Sequence, residues 1–75
     1  KNGLTFEDNG DIRYYENGVA VAKGLVQSAD GSYYFINSSL KAVKNTYYAF
    51  SATHANGLLP AGRYFFGEDG KLVQN

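Results

Sequence analysis

The sequence has no cysteine, no tryptophan and no methionine, and it has one proline and one histidine. Without cysteine, no disulfide can staple the fold and no thiolate metal site can form. Seven basic and seven acidic residues cancel to a formal net charge of +0. Nucleic-acid binders carry a basic excess to meet phosphate, so nucleic acid is set aside as a partner. No apolar run approaches the roughly 20 residues of a membrane-spanning helix, and no membrane insertion is expected. No phosphate loop, HExxH or Gly-x-Ser-x-Gly pattern occurs, and 75 residues leave little room for a deep pocket. The expectation is a non-catalytic chain without a cofactor. At this length it is one small domain at most, near the limit of independent stability. Its core must come from its own side chains or from neighbouring domains of the same protein.

What is present is aromatic and glycine-punctuated: seven Tyr, five Phe and nine Gly. Asn2-Gly3, Asn9-Gly10, Asn17-Gly18, Asp30-Gly31, Asn56-Gly57 and Asp69-Gly70 accept positive φ cheaply and close tight hairpins. The runs between them are of strand length and too short for stable helices. Strands are expected near 3–7, 12–16, 19–23, 25–28, 32–36, 40–44, 46–50, 63–67 and 71–74. Ser51 to Ala55 reads as a loop or one helical turn. The composition and the pattern are all-β.

The chain also repeats. Gly24 to Asn37 lies over Gly3 to Glu16 without a gap, at an offset of 21 residues from Gly3 to Gly24. The match continues through Val19 over Leu40 and Lys23 over Lys44. Repeat one is expected at about 2–23 and repeat two at about 24–45. An insertion is expected at 46–56 and an altered third copy at about 57–75, built on Gly57-Leu58-Leu59 and Gly62 to Phe66. Lys1 falls inside a repeat, so the chain reads as a module of a longer protein. One hairpin cannot bury its apolar face alone, whereas stacked hairpins cover one another. The expected fold is a short stack of antiparallel β-hairpins, a β-solenoid-like array. The turn after the second aromatic strand, Asn37-Ser38-Ser39, lacks the glycine of Asn17-Gly18 and is expected to be of another type.

Alternation sorts the faces of each strand. The Ile12/Tyr14, Tyr33/Phe35 and Tyr64/Phe66 side is expected to form the main core. Tyr15, Tyr34 and Tyr48 fall on the opposite side and are the candidate ligand-binding residues. There, rings could stack on sugar faces and hydroxyls could hydrogen-bond. Burial in the core is the competing use of any such ring.

Gly31-Ser32-Tyr33-Tyr34-Phe35-Ile36-Asn37, Asn17-Gly18-Val19-Ala20-Val21 and Gly24-Leu25-Val26 together resemble the cell-wall-binding repeats of Gram-positive surface proteins. That family includes choline-binding and glucan-binding modules. The resemblance covers most of residues 2–45 and, more weakly, 57–74. It implies stacked hairpins, a secreted or cell-surface setting, and a cell-wall polysaccharide or other glycan as partner. Where the family has Gly-Trp, this chain has Leu4, Leu25 and Leu58. In choline-binding members, Trp and Tyr cage a quaternary ammonium by cation–π attraction, and with Leu that cage is incomplete. Two other roles stay open: a structural spacer or docking module without a ligand, and a protein-binding adhesin that uses an exposed edge strand.

Two polar features compete for attention. His54 sits among Ser51, Thr53 and Asn56, a generic loop without the fixed nucleophile or carboxylate that catalysis needs. Glu7-Asp8-Asn9-Gly10-Asp11 gathers three carboxylates at a turn. Its spacing does not fit an EF-type calcium loop, and it reads as a solvated hairpin end.

Overall fold

Alternating short strands and tight turns leave the chain little choice but hairpins, and the structure, a computed structural model, has eight strands among residues 2–73, the residues it describes. Lys1, Gln74 and Asn75, including the expected end of the last strand, lie outside the described residues. β1 (Gly3–Phe6), β2 (Ile12–Glu16) and β3 (Val19–Val21) form one antiparallel sheet. β4 (Gly24–Gln27) and β5 (Tyr33–Ile36) form a second. β6 (Thr46–Phe50), β7 (Gly62–Phe66) and β8 (Leu72–Val73) form the third. A single helical turn, α1 (Ala52–Ala55), interrupts the last unit. The fold is the expected all-β stack of antiparallel hairpins.

One turn recurs four times, at 7–11, 28–32, 37–41 and 67–71. In each, the first N–H donates to the fifth carbonyl and the fourth N–H donates to the first carbonyl. The fourth residue has positive φ: Gly10, Gly31, Leu40 and Gly70. In three of the turns an Asn or Asp at the third place (Asn9, Asp30, Asp69) accepts the fifth N–H at 3.0 Å. This is a type I turn closed by a left-handed residue. Asn17-Gly18 instead has positive φ at both residues, 53° and 83°, the two-residue type I′ form. The turn after β5 therefore does differ in type from its counterpart. Leu40 takes the glycine's place at φ 69°, which costs about 1–2 kcal/mol for an L-residue. That turn spoils the strand expected at 40–44, which shrinks to a single bridge between Ile36 and Ala42.

The 21-residue period survives further than the sequence suggested. Gly3 (φ 85°), Gly24 (φ 84°) and Asn45 (φ 58°) each open a unit in the left-handed region, and Asn tolerates that region best after Gly. β6 then pairs with β7 as β1 pairs with β2. In these pairings Leu4 faces Tyr14, Leu25 faces Phe35 and Thr46 faces Phe66. The third hairpin thus begins at Asn45, earlier than the expected 57, and Thr46 holds the register position that was assigned to Leu58. The interruption is an enlarged turn inside that hairpin, from Ser51 to Ala61, and not a segment ahead of it.

The middle hairpin has a neighbour on each side, and this decides the core. Leu25 and Phe35 point one way, into a cluster with Val43, Phe50, Ala55, Phe66 and Leu72. Val26, Tyr34 and Ile36 point the other way, into a cluster with Ile12 and Ala42 that Leu4 and Tyr14 flank. The single core face expected from alternation is therefore split. Ile12 and Tyr14 belong with Tyr34 and Ile36, whereas Phe35 and Phe66 lie in the other cluster. The first and second hairpins meet through unlike faces, so Tyr14 and Phe35, which match in register, separate in space, whereas the second and third meet through like faces and Phe35 and Phe66 share a cluster. Close contacts tie the units together. Ala42 N–H, in the second unit, donates to the Ile12 carbonyl of the first at 2.7 Å. A Cβ on Gly70 would lie 3.0 Å from Ile12 Cδ1 and 3.4 Å from Tyr34 Cδ2, so glycine there lets the third unit touch both others.

Candidate functional site

Aromatic residues at every second place of β5, β6 and β7 bring rings face to face where the second and third hairpins meet. Phe35 stacks on Phe50 at 5.1 Å with an interplanar angle of 12°. Phe50 in turn stacks on Tyr64 at 5.1 Å and 19°. Tyr48 leans on Phe35 at 4.7 Å and 38°. The Tyr64 hydroxyl donates to the Pro60 carbonyl at 2.8 Å, which pins the long turn over the end of the ladder. Phe35 and Phe50 are buried, and Tyr48 and Tyr64 are half-buried.

At the mouth of this ladder lies a cleft of about 200 Å³. Phe35, Ile36 and Tyr48 give it an apolar floor, and Asn37, Ser38 and His54 give it a polar rim. Its wall at Gly24 is set by α1. A Cβ on Gly24 would meet the His54 carbonyl oxygen at 2.6 Å, so only glycine admits this approach. Asn56, left-handed at the C-cap of α1, donates its side-chain amide to the Lys23 and Leu25 carbonyls at 2.8 and 2.9 Å. These bonds satisfy two carbonyls at the start of β4 and hold α1 against the cleft. The rim offers the amide of Asn37, the hydroxyl of Ser38 and the imidazole of His54 as hydrogen-bonding groups. His54 is exposed, and none of the described residues hydrogen-bonds its ring.

The three candidate tyrosines do not converge. Tyr48 lines the cleft. Tyr34, expected to reach solvent, is 2% exposed: it packs with Ile12, Val26 and Ile36, and Phe6 meets its ring edge-on at 5.6 Å. The first hairpin covers the face that was assigned to ligand. Tyr15 is half-buried and donates its hydroxyl to Glu7. The acidic turn of repeat one is likewise engaged by its neighbours: Arg13 lies 3.9 Å from Glu7 and 3.5 Å from Asp11. Asn37, Ser38 and His54 went unnoticed as rim residues. The only sequence sign of the first two was their place directly after the Tyr33 to Ile36 strand. Nothing local marks His54, which reaches the cleft through the long turn.

Charge near the middle hairpin is fixed by its turn. Asp30 accepts hydrogen bonds from the Ser28 hydroxyl and the Ser32 N–H, and these hold its carboxyl at about 2, below the ordinary 3.8. Burial, helped by the charges of Asp30 and Asp69, pushes the Tyr34 phenol above its ordinary 10.0. Among the described residues no helix is long and apolar enough to cross a membrane.

The sequence matches no protein-family model and no curated protein. Among solved structures, the chain is similar to the choline binding domain of Spr1274 from Streptococcus pneumoniae. The TM-score is 0.67 at 24% identity, over 100% of this chain and 97% of that one. The two share a fold over their whole lengths.

Proposed function

We propose that this chain, with the fold of a choline binding domain, is a non-catalytic module of a secreted, Gram-positive cell-surface protein. It binds a cell-wall polysaccharide or another surface glycan in the cleft between its second and third hairpins. The observation that carries the reading is the cleft itself: one half-exposed ring, Tyr48, backed by Phe35, beside the polar rim of Asn37, Ser38 and His54. A sugar ring presents an apolar face to an aromatic ring and hydroxyls to such a rim. A quaternary ammonium fits less well. It needs several rings around it, and only two line the cleft. Leu4 and Leu25 lie in or against the core clusters and contribute no cage wall. One cleft of this size binds weakly, and useful strength comes from many copies on one polymer.

Co-sedimentation with purified, insoluble wall polysaccharide tests the reading. The chain is expected to pellet with the polymer, and Tyr48→Ala is expected to stay in the supernatant while still folded. No pelleting at millimolar polymer repeat units, or equal pelleting of the variant, sinks the cleft as a glycan site. The spacer reading would then stand, favoured by the burial of Tyr34 between hairpins.

A further inference from the structure

We infer a second binding site, on the outer face of the third sheet, for a sugar ring that carries an acid group. Cross-strand register places Tyr47 opposite Phe65 and Phe65 opposite Val73, with Ala49 opposite Arg63 on the same face. The face is open: Tyr47 is 57% exposed and Val73 is 47% exposed. Tyr47 and Phe65 meet edge to face, at 4.9 Å and 63°. The Arg63 guanidinium lies 4.3 Å from the Tyr47 ring centre.

The same register in the other two units shows what is unusual here. The corresponding face of the second hairpin, Val26 and Tyr34, is buried under the first hairpin. The corresponding face of the first hairpin carries Thr5 and Arg13, and Arg13 is neutralised by Glu7 and Asp11. In the third unit the face is aromatic, positively charged and, among the described residues, uncovered. Lys23, the other described cation over a ring, pairs with Glu16 at 3.1 Å, and Lys71 lies 3.9 Å from Asp30. No carboxylate among the described residues pairs with Arg63.

A guanidinium held against a ring keeps its N–H groups for a carboxylate or phosphate, which it can take through two parallel N–H bonds. The edge-to-face pair of Tyr47 and Phe65 beside it offers apolar area to the CH face of a pyranose. Five side chains suit a mono- or disaccharide and fall short of the roughly 20–30 residues a side of a stable protein interface. The ligand class is therefore an acidic saccharide. This site shares no residue with the cleft of Tyr48 and stands or falls apart from it.

The test is an amide-resonance titration of the ¹⁵N-labelled chain with trigalacturonic acid. The methyl-esterified trimer and inorganic phosphate serve as separate arms. Shifts are expected at Tyr47, Ala49, Arg63, Phe65 and Val73. The ester, which keeps the rings and loses the charge, should bind roughly tenfold more weakly, as should Arg63→Gln toward the acid. Phosphate alone should also bind roughly tenfold more weakly, because it lacks the ring. The exposed Arg63→Gln and Tyr47→Ala variants should keep the remaining spectrum unchanged. Equal affinity for acid and ester, equal affinity for phosphate alone, or no response at these residues overturns the inference. So do concentration-dependent shifts of the same residues without ligand, since a second copy would then cover the face.

Discussion

At the scale of the residue, Tyr34 shows how position in the stack outranks position in the strand. Alternation places it opposite Tyr33 and Phe35, and by that rule alone it should face water. The first hairpin covers it instead, with Ile12 and the ring of Phe6. Removing the ring should cost about 3–5 kcal/mol, so Tyr34→Ala should be largely unfolded in a domain this small, as urea denaturation would show. Tyr34→Phe keeps the packing and loses the ionisable group. The folded chain holds the Tyr34 proton more tightly than the unfolded chain does, because burial raises its phenol above 10.0. Its contribution is therefore complete below pH 10 and is lost as pH rises through the higher folded value. Urea midpoints between pH 9 and 12 should fall more steeply for the natural chain than for Tyr34→Phe. Asp30 works in the opposite sense. Its carboxyl is lowered to about 2 by Ser28 and then Ser32, so its contribution is present above 3.8 and fades as pH falls toward 2. The Ser32 amide resonance should follow a titration midpoint near 2, and Asp30→Asn should abolish that titration.

Turns and strands are the most legible elements, because their chemistry is local. Asn-Gly and Asp-Gly marked the tight turns, and the missing glycine after Asn37 marked a turn of another kind. What the sequence concealed was Leu40 in a glycine's conformation and Asn45 in another glycine's place. Leucine does not announce positive φ, and Asn45, with no glycine after it, hid the start of the third unit. Leu40→Gly should relieve the left-handed strain and raise stability by up to about 1 kcal/mol in urea denaturation, less than the full strain because glycine gains freedom in the unfolded chain. α1 was legible only as a possible turn, since its role depends on contacts far along the chain. Gly24→Ala would drive a methyl into the His54 carbonyl, 2.6 Å away, and also impose φ 84° on an L-residue. It should cost about 1–3 kcal/mol. Asn56→Ala removes two hydrogen bonds to carbonyls of Lys23 and Leu25 and should cost about 1–2 kcal/mol. Faster amide exchange at Ala55 in either variant would show α1 loosened from β4.

For the whole molecule, the repeat explains the stack, and the stack explains where a site can form. The middle hairpin is apolar on both faces because it is covered on both. Which neighbour takes which face was not legible, since both faces read alike. The cleft combines Asn37 and Ser38 with Tyr48 and His54, residues from different units whose meeting depends on how the third hairpin is turned. Of the three tyrosines that alternation selected, only Tyr48 lies there. The outer face of the third sheet was not legible for a similar reason: Tyr47 and Phe65 read as ordinary strand aromatics, and only the stacking of the described residues leaves Tyr47 exposed. The most direct measurement of the central proposal is an amide-resonance titration of the chain with soluble fragments of purified wall polysaccharide. Saturable shifts at Asn37, Ser38, Tyr48 and His54, lost in Tyr48→Ala, are the predicted result. An unchanged spectrum at millimolar fragment, or shifts that leave these four residues untouched, would contradict it.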